Sequence, residues 1–150
     1  MEKDFRILYI EDDRGDVDLL QYAINMIPGN RCHLSVIEDG EKAMTFIEQR
    51  DKNPQESPNL ILLDLNLPRV HGRDVLLKLK GSAELCRIPV IVLTTSARQE
   101  DVDFCYEAGA NAYIKKAIGF KEYQETVRRL IDFWAGTAVL PSPLRTSNPR

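Results

Sequence analysis

Four short runs of consecutive apolar residues punctuate the chain: Ile7-Leu8-Tyr9-Ile10, Leu60-Ile61-Leu62-Leu63, Val90-Ile91-Val92-Leu93 and the weaker Ala112-Tyr113-Ile114. Each has the length of a strand. Continuous apolar character, rather than alternation, is what a strand covered by helices on both faces shows. Leu34-Ser35-Val36-Ile37 predicts a fifth strand. Between these runs the apolar period becomes helical. Val17, Leu20, Ile24 and Ile27 share one face, which Pro28-Gly29 ends. Ala43, Met44 and Ile47 predict a second helix after Asp39-Gly40, and Val75, Leu76 and Leu79 a third. Val102, Cys105 and Tyr106 predict a fourth, and Tyr123, Val127, Leu130, Ile131 and Trp134 a fifth. Strand and helix alternate five times. The pattern predicts a doubly wound α/β domain, a five-stranded parallel sheet with helices on both faces and right-handed crossovers.

Two segments fall outside the alternation. Residues 51–58 (DKNPQESP) are polar with two prolines and predict a surface loop. Residues 136–150 (GTAVLPSPLRTSNPR) hold three prolines and few apolar groups, so residues 1–135 are expected to form the domain and 136–150 an irregular C-terminal tail. At 150 residues with a net charge of −3, the chain allows one domain and presents no basic stripe for nucleic acid. With no membrane-length apolar run and no signal-like N-terminus, it is expected to be cytoplasmic and off the membrane. Cys32, Cys86 and Cys105, with His33 and His71, stand at no zinc-ligand or redox spacing.

The chemistry lies just past the strand ends. Glu11, Asp12 and Asp13 come after the first, Asp64 after the third, Thr94-Thr95-Ser96 close the fourth, and Lys115-Lys116 the fifth. All carboxyl ends of a parallel sheet open on one edge, so these residues are expected to converge. Clustered carboxylates repel one another, and a hard dication with oxygen ligands relieves that. Glu11, Asp12 and Asp64 are therefore candidate Mg2+ ligands, with a backbone carbonyl near Asn66 completing the set. Lys116 and the Thr94 hydroxyl add a charge and a donor suited to an incoming phosphoryl group. Asp64 can be its nucleophile. Asp13 and Asp16 are read as helix N-caps, His71 as a solvated loop residue, and Met26 and Met44 as helix packing.

Ile10-Glu11-Asp12, Leu63-Asp64-Leu65-Asn66-Leu67-Pro68 with Gly72, Leu93-Thr94-Thr95-Ser96, and Tyr113 with Lys116 together resemble the receiver domain of two-component response regulators over residues 5–133. The 51–58 insert, the Ile88–Ser96 stretch and the Phe133-Trp134 ending resemble the single-domain regulators that partner phytochrome-type histidine kinases. The resemblance implies the flavodoxin-like strand order 2-1-3-4-5. It implies Asp64 as phosphoacceptor from a sensor histidine kinase, Glu11 and Asp12 as magnesium-binding acids, and Asn66 as source of a carbonyl ligand. Thr94 and Lys116 would contact the phosphoryl group, and Tyr113 would be an aromatic switch that follows Thr94. A homodimer through the last elements is also implied. Receivers usually carry proline after the lysine, often in cis, whereas this chain has Ala117. A trans bond or visible strain is expected there, since cis before alanine costs about 3–4 kcal/mol. Lys115 should point away from Lys116 by strand alternation.

The protein is thus expected to be a phosphoacceptor switch and not an enzyme. Three alternatives share parts of the pattern. A small magnesium-dependent phosphatase of the haloacid-dehalogenase type places its nucleophile after the first strand, which reverses the order seen here. A flavodoxin-like cofactor binder needs small residues and amides where Glu11-Asp12-Asp13 stand. A receiver-like module working without phosphorylation predicts the loss of a key group.

Overall fold

The computed structural model describes residues 4–52 and 57–141. Five strands and five helices alternate: β1 (Phe5–Ile10), α1 (Arg14–Asn25), β2 (Cys32–Ile37), α2 (Gly40–Lys52), β3 (Leu60–Leu63), α3 (Gly72–Gly81), β4 (Val90–Thr94), α4 (Gln99–Glu107), β5 (Ala112–Lys115) and α5 (Phe120–Ile131). A π-helical turn, Asp132–Thr137, comes next. The sheet is wholly parallel in the order β2-β1-β3-β4-β5. The expected architecture and strand order are therefore those observed.

Side chains of each central strand alternate between two cores, which is why those strands are apolar throughout. Leu8, Ile10, Ile61, Leu63, Val90 and Val92 face α2, α3 and α4, meeting Ala43, Ile47, Val75, Leu76, Leu79 and Cys105. Ile7, Tyr9, Leu60, Leu62, Ile91 and Leu93 face α1 and α5, meeting Leu20, Ala23, Ile24, Tyr123, Val127 and Leu130. Burying each such aliphatic side chain stabilises the fold by roughly 1.5–3 kcal/mol against leaving it exposed.

Several local expectations need correction. The polar segment at 51–58 is helical through Lys52, and Ser57 and Pro58 are buried; its remainder, residues 53–56, lies outside the described residues. Met26 is 47% exposed instead of packed, because α1 has already ended at Asn25 and Met26 is its C-cap. Tyr106 is half exposed, and its hydroxyl accepts from the Tyr113 amide at 3.1 Å in place of filling the core. The tail does not begin irregularly at 136, since Gly136 and Thr137 finish the π-helical turn, closed by Ala138 N–H to the Phe133 carbonyl at 2.7 Å. Beyond it, Leu140 packs back against the α1/α5 core, and residues 142–150 lie outside the described region. Trp134 also packs on that core, edge-on to the half-exposed Phe133 ring at 5.0 Å. At the opposite end of the sheet from the strand carboxyl termini, the Lys80 ammonium ties α3 to the chain entering β4, donating to the Cys86 and Ile88 carbonyls and to Asn111 Oδ1.

Candidate functional site

The strand carboxyl ends carry the acids because each chain segment leaves the sheet there. Glu11 directly follows β1, and its amide donates to the Ile37 carbonyl of β2. Its side chain is 1% exposed, with Oε1 accepting from the Tyr9 hydroxyl (3.1 Å) and the Lys116 ammonium (2.7 Å) and Oε2 from the Asp13 amide (3.2 Å). Asp12 is exposed beside it. Asp64 follows β3, held by its amide to the Ile10 carbonyl at 3.1 Å, and is 5% exposed. One carboxylate oxygen each from Glu11, Asp12 and Asp64 lies within 4.8 Å of the others. Asp64 Oδ1 is buried and accepts no hydrogen bond.

The loop after Asp64 is held close by glycines. A methyl group on Gly72 would stand 2.4 Å from the Asp64 carbonyl, and one on Gly40 would stand 2.2 Å from the Val70 carbonyl. Only glycine admits both helix N-termini so near the loop. Leu65 and Leu67 anchor the loop in the core, while Asn66 between them is exposed. Arg69 takes φ 73°, with Val70 N–H reaching the Pro68 carbonyl at 2.8 Å, a tight left-handed turn that non-glycine residues rarely adopt.

On the other side of the pocket, Thr94 ends β4 fully buried. The Lys116 amide donates to the Thr94 carbonyl at 2.7 Å, which fixes the lysine just past β5. All peptide bonds of the described residues are trans, the one before Ala117 included. Lys115 is exposed and Lys116 turned inward, as strand alternation requires. Lys116 also donates to Asp16 Oδ2 at 2.8 Å and stands 4.0 Å from Asp64 Oδ2. Asp16 was expected only as a cap. That role belongs to Asp13, whose Oδ1 accepts from the Asp16 amide, and Asp16 itself enters the site. The only signal for it in the sequence is its place in the first turn of α1, which spacing alone does not connect to Lys116. His71 is likewise more than a solvated loop residue, since its Nδ1 caps α3 by accepting from the Arg73 amide.

The electrostatics are those of acids short of positive charge. Burial pushes the Glu11 carboxyl up to about 7; the Lys116 bond pulls against this and the Asp64 charge adds to it. Burial alone would pull Lys116 down, yet its bonds to Asp16 and Glu11 and the nearby Asp64 charge outweigh that and leave it above its ordinary range. A divalent cation satisfies this set: three converging oxygens, with a buried Asp64 oxygen that has no donor, in a pocket with a single ammonium. Beside it, Tyr113 donates its hydroxyl to the Ser96 carbonyl at 2.9 Å, and Ser96 Oγ donates to Asp101, itself gripped by Arg98. Tyr113 is thus tied to the loop that follows Thr94.

A parallel 2-1-3-4-5 sheet with this acid cluster at its carboxyl edge defines a class, and the family model of the response regulator receiver domain matches residues 7–128: the chain belongs to that family. Among individual proteins it is similar to the response regulator Rcp1 of Synechocystis sp., at 40% identity over 139 residues that span 91% of this chain and 92% of Rcp1. The phosphorylated cyanobacterial phytochrome response regulator RcpA superposes with a TM-score of 0.85 at 36% identity, over 93% of this chain and all of that one. The Mn2+-bound form of Rcp1 superposes with a TM-score of 0.82 at 39% identity, over 92% and 99% of the two chains.

Proposed function

We propose that this receiver accepts a phosphoryl group on Asp64 from the phosphohistidine of a sensor histidine kinase and signals by changing its surface. The observation that carries the reading is Asp64 itself. It is a buried carboxylate with one oxygen unpartnered, set between two further acids and a lysine. An Asp64 oxygen attacks phosphorus, the O–P bond forms, the P–N bond breaks, and its electron pair returns to the imidazole. Glu11, Asp12 and Asp64 would hold the cation, which we take to be Mg2+, with the Asn66 carbonyl as a further ligand. When bound, Mg2+ supplies positive charge that offsets the acids and the phosphoryl oxygens. Lys116 would neutralise one phosphoryl oxygen, and Thr94 would donate its hydroxyl to another.

The same reading assigns Tyr113 as the reporter. Drawing Thr94 toward the phosphoryl group would disturb the loop whose Ser96 carbonyl holds the Tyr113 hydroxyl, and the α4–β5 surface would shift its population. The chain would be a switch and not a turnover catalyst. The switch domain would extend through the π-helical turn to Thr137, with the chain beyond it an appended tail. Among the described residues no helix is long and apolar enough to cross a membrane, and we place the protein in the cytoplasm. The likeness to RcpA, a cyanobacterial phytochrome response regulator, supports a phytochrome as the kinase. Phe133 at 49% and Val139 at 97% exposure leave apolar surface beyond α5 that supports pairing with a second copy.

The test is intact-mass spectrometry after incubation with acetyl phosphate. One added phosphoryl group is expected, dependent on Mg2+ and lost in Asp64→Asn. A wild-type chain that gains no mass under these conditions would overturn the reading in favour of an unphosphorylated interaction module.

A further inference from the structure

Lys116 has three donors, and two are already committed: to Glu11 Oε1 at 2.7 Å and to Asp16 Oδ2 at 2.8 Å. Asp64 Oδ2, at 4.0 Å, is beyond hydrogen-bond reach. The lysine side chain is only 8% exposed, so wherever it turns its charge needs a carboxylate beside it. Glu11 belongs to the metal cluster and already serves three donors. An ammonium and a dication on that one carboxylate would repel each other.

Asp16 stands outside the cluster. It sits in the first turn of α1, where the helix dipole favours an anion, and its amide is fixed by Asp13 Oδ1 at 3.0 Å. The turn is tight there, since a methyl group on Gly15 would lie 3.0 Å from that same oxygen. Its carboxylate is therefore a pre-placed second seat for the lysine. We propose that Asp16 is a positioning residue that holds the Lys116 ammonium on the α1 side of the pocket and so releases Glu11 to a divalent cation. The inference rests on the reading of the acceptor pocket. The pocket thereby keeps its own lysine from competing with the metal ion, while leaving the lysine one short movement from Asp64.

The experiment is a double-mutant cycle on the full chain, with Mg2+ and Mn2+ dissociation constants measured by calorimetry for wild type, Asp16→Asn, Lys116→Met and the double variant. Asp16→Asn is expected to weaken binding about threefold to tenfold in the wild-type background and to change it less than about twofold when Lys116 is already Met. Asp16→Glu, which keeps the charge and can still reach the ammonium, should stay within about twofold of wild type. Equal weakening by Asp16→Asn in both backgrounds would overturn the proposal, because Asp16 would then act on the cation by its own charge. No weakening in either would also overturn it and leave the pair a structural contact. Acetyl-phosphate labelling of the wild type is read separately, so failure of the cycle and failure of the acceptor reading remain distinct.

Discussion

Glu11 carries an electrostatic cost that the cation would relieve. Its carboxyl is raised from an ordinary 4.5 to about 7, so between those values the folded chain binds a proton that the unfolded chain has lost. Stability from this group therefore falls as pH rises through the window and is flat on either side. Lys116, raised from 10.5, contributes its full share throughout that range. In metal-free protein wild type should lose stability relative to Glu11→Gln as pH rises from about 4.5 to about 7, on the order of 1–3 kcal/mol in total. Saturating Mg2+ should cancel most of that slope. Urea melts across the range, with and without chelator, check it, and a slope indifferent to Glu11 would count against the assignment. At this scale the sequence was legible where a residue sits just past a strand: Glu11, Asp12 and Asp64 converge with Lys116 beside them, while Thr94 closes β4 and holds the Lys116 amide by its carbonyl. Asp16 was not, because its partner lies a hundred positions away just past another strand and only the packing of α1 against α5 on the same face of the sheet brings them together.

Elements were legible as far as burial drives them. The central strands are covered on both faces and read as unbroken apolar runs, whereas β2, at the sheet edge, alternates between half-buried and exposed and gave only a short, weak signal. Helix ends depend on a few polar contacts that periodicity does not contain. His71 illustrates this. Its ring nitrogen satisfies an amide at the start of α3, a helix whose first residue, Gly72, presses on the acceptor loop. His71→Ala should cost about 0.5–2 kcal/mol of stability, and His71→Asp should recover it, since aspartate is a stronger cap. Denaturant midpoints for the two variants decide the matter. Equal losses would mean that the ring acts by packing and not by capping. The π-helical turn after α5 was equally invisible, because one extra residue in a helical turn leaves the apolar period nearly unchanged.

Across the whole molecule, α1 and α5 cover one face of the sheet, and α2, α3 and α4 cover the other. The C-terminal turn extends the α1/α5 side, and its two aromatic rings divide the labour. Trp134 faces the protein's own core and Phe133 faces outward. Trp134→Ala is expected to lower stability by about 2 kcal/mol without altering association, as loss of a partly buried ring should. Phe133→Ala should leave the melting temperature nearly unchanged and weaken any self-association. Sedimentation equilibrium beside thermal melts separates the two. If both variants melt early and neither changes mass, the proposed pairing surface is wrong. No single stretch of sequence announces this arrangement, since both rings sit in one helical run and the turn alone sets which points outward.

The three thiols differ sharply in accessibility. Cys105 is buried, Cys32 is half-buried, and burial pushes both up to about 11. Cys86 is exposed, in the turn that Lys80 braces at the far end of the sheet from the acceptor pocket. The native chain therefore offers one natural attachment point for a maleimide dye or spin label. Such a probe can follow tumbling, kinase docking and self-association from a position that touches none of the chemistry.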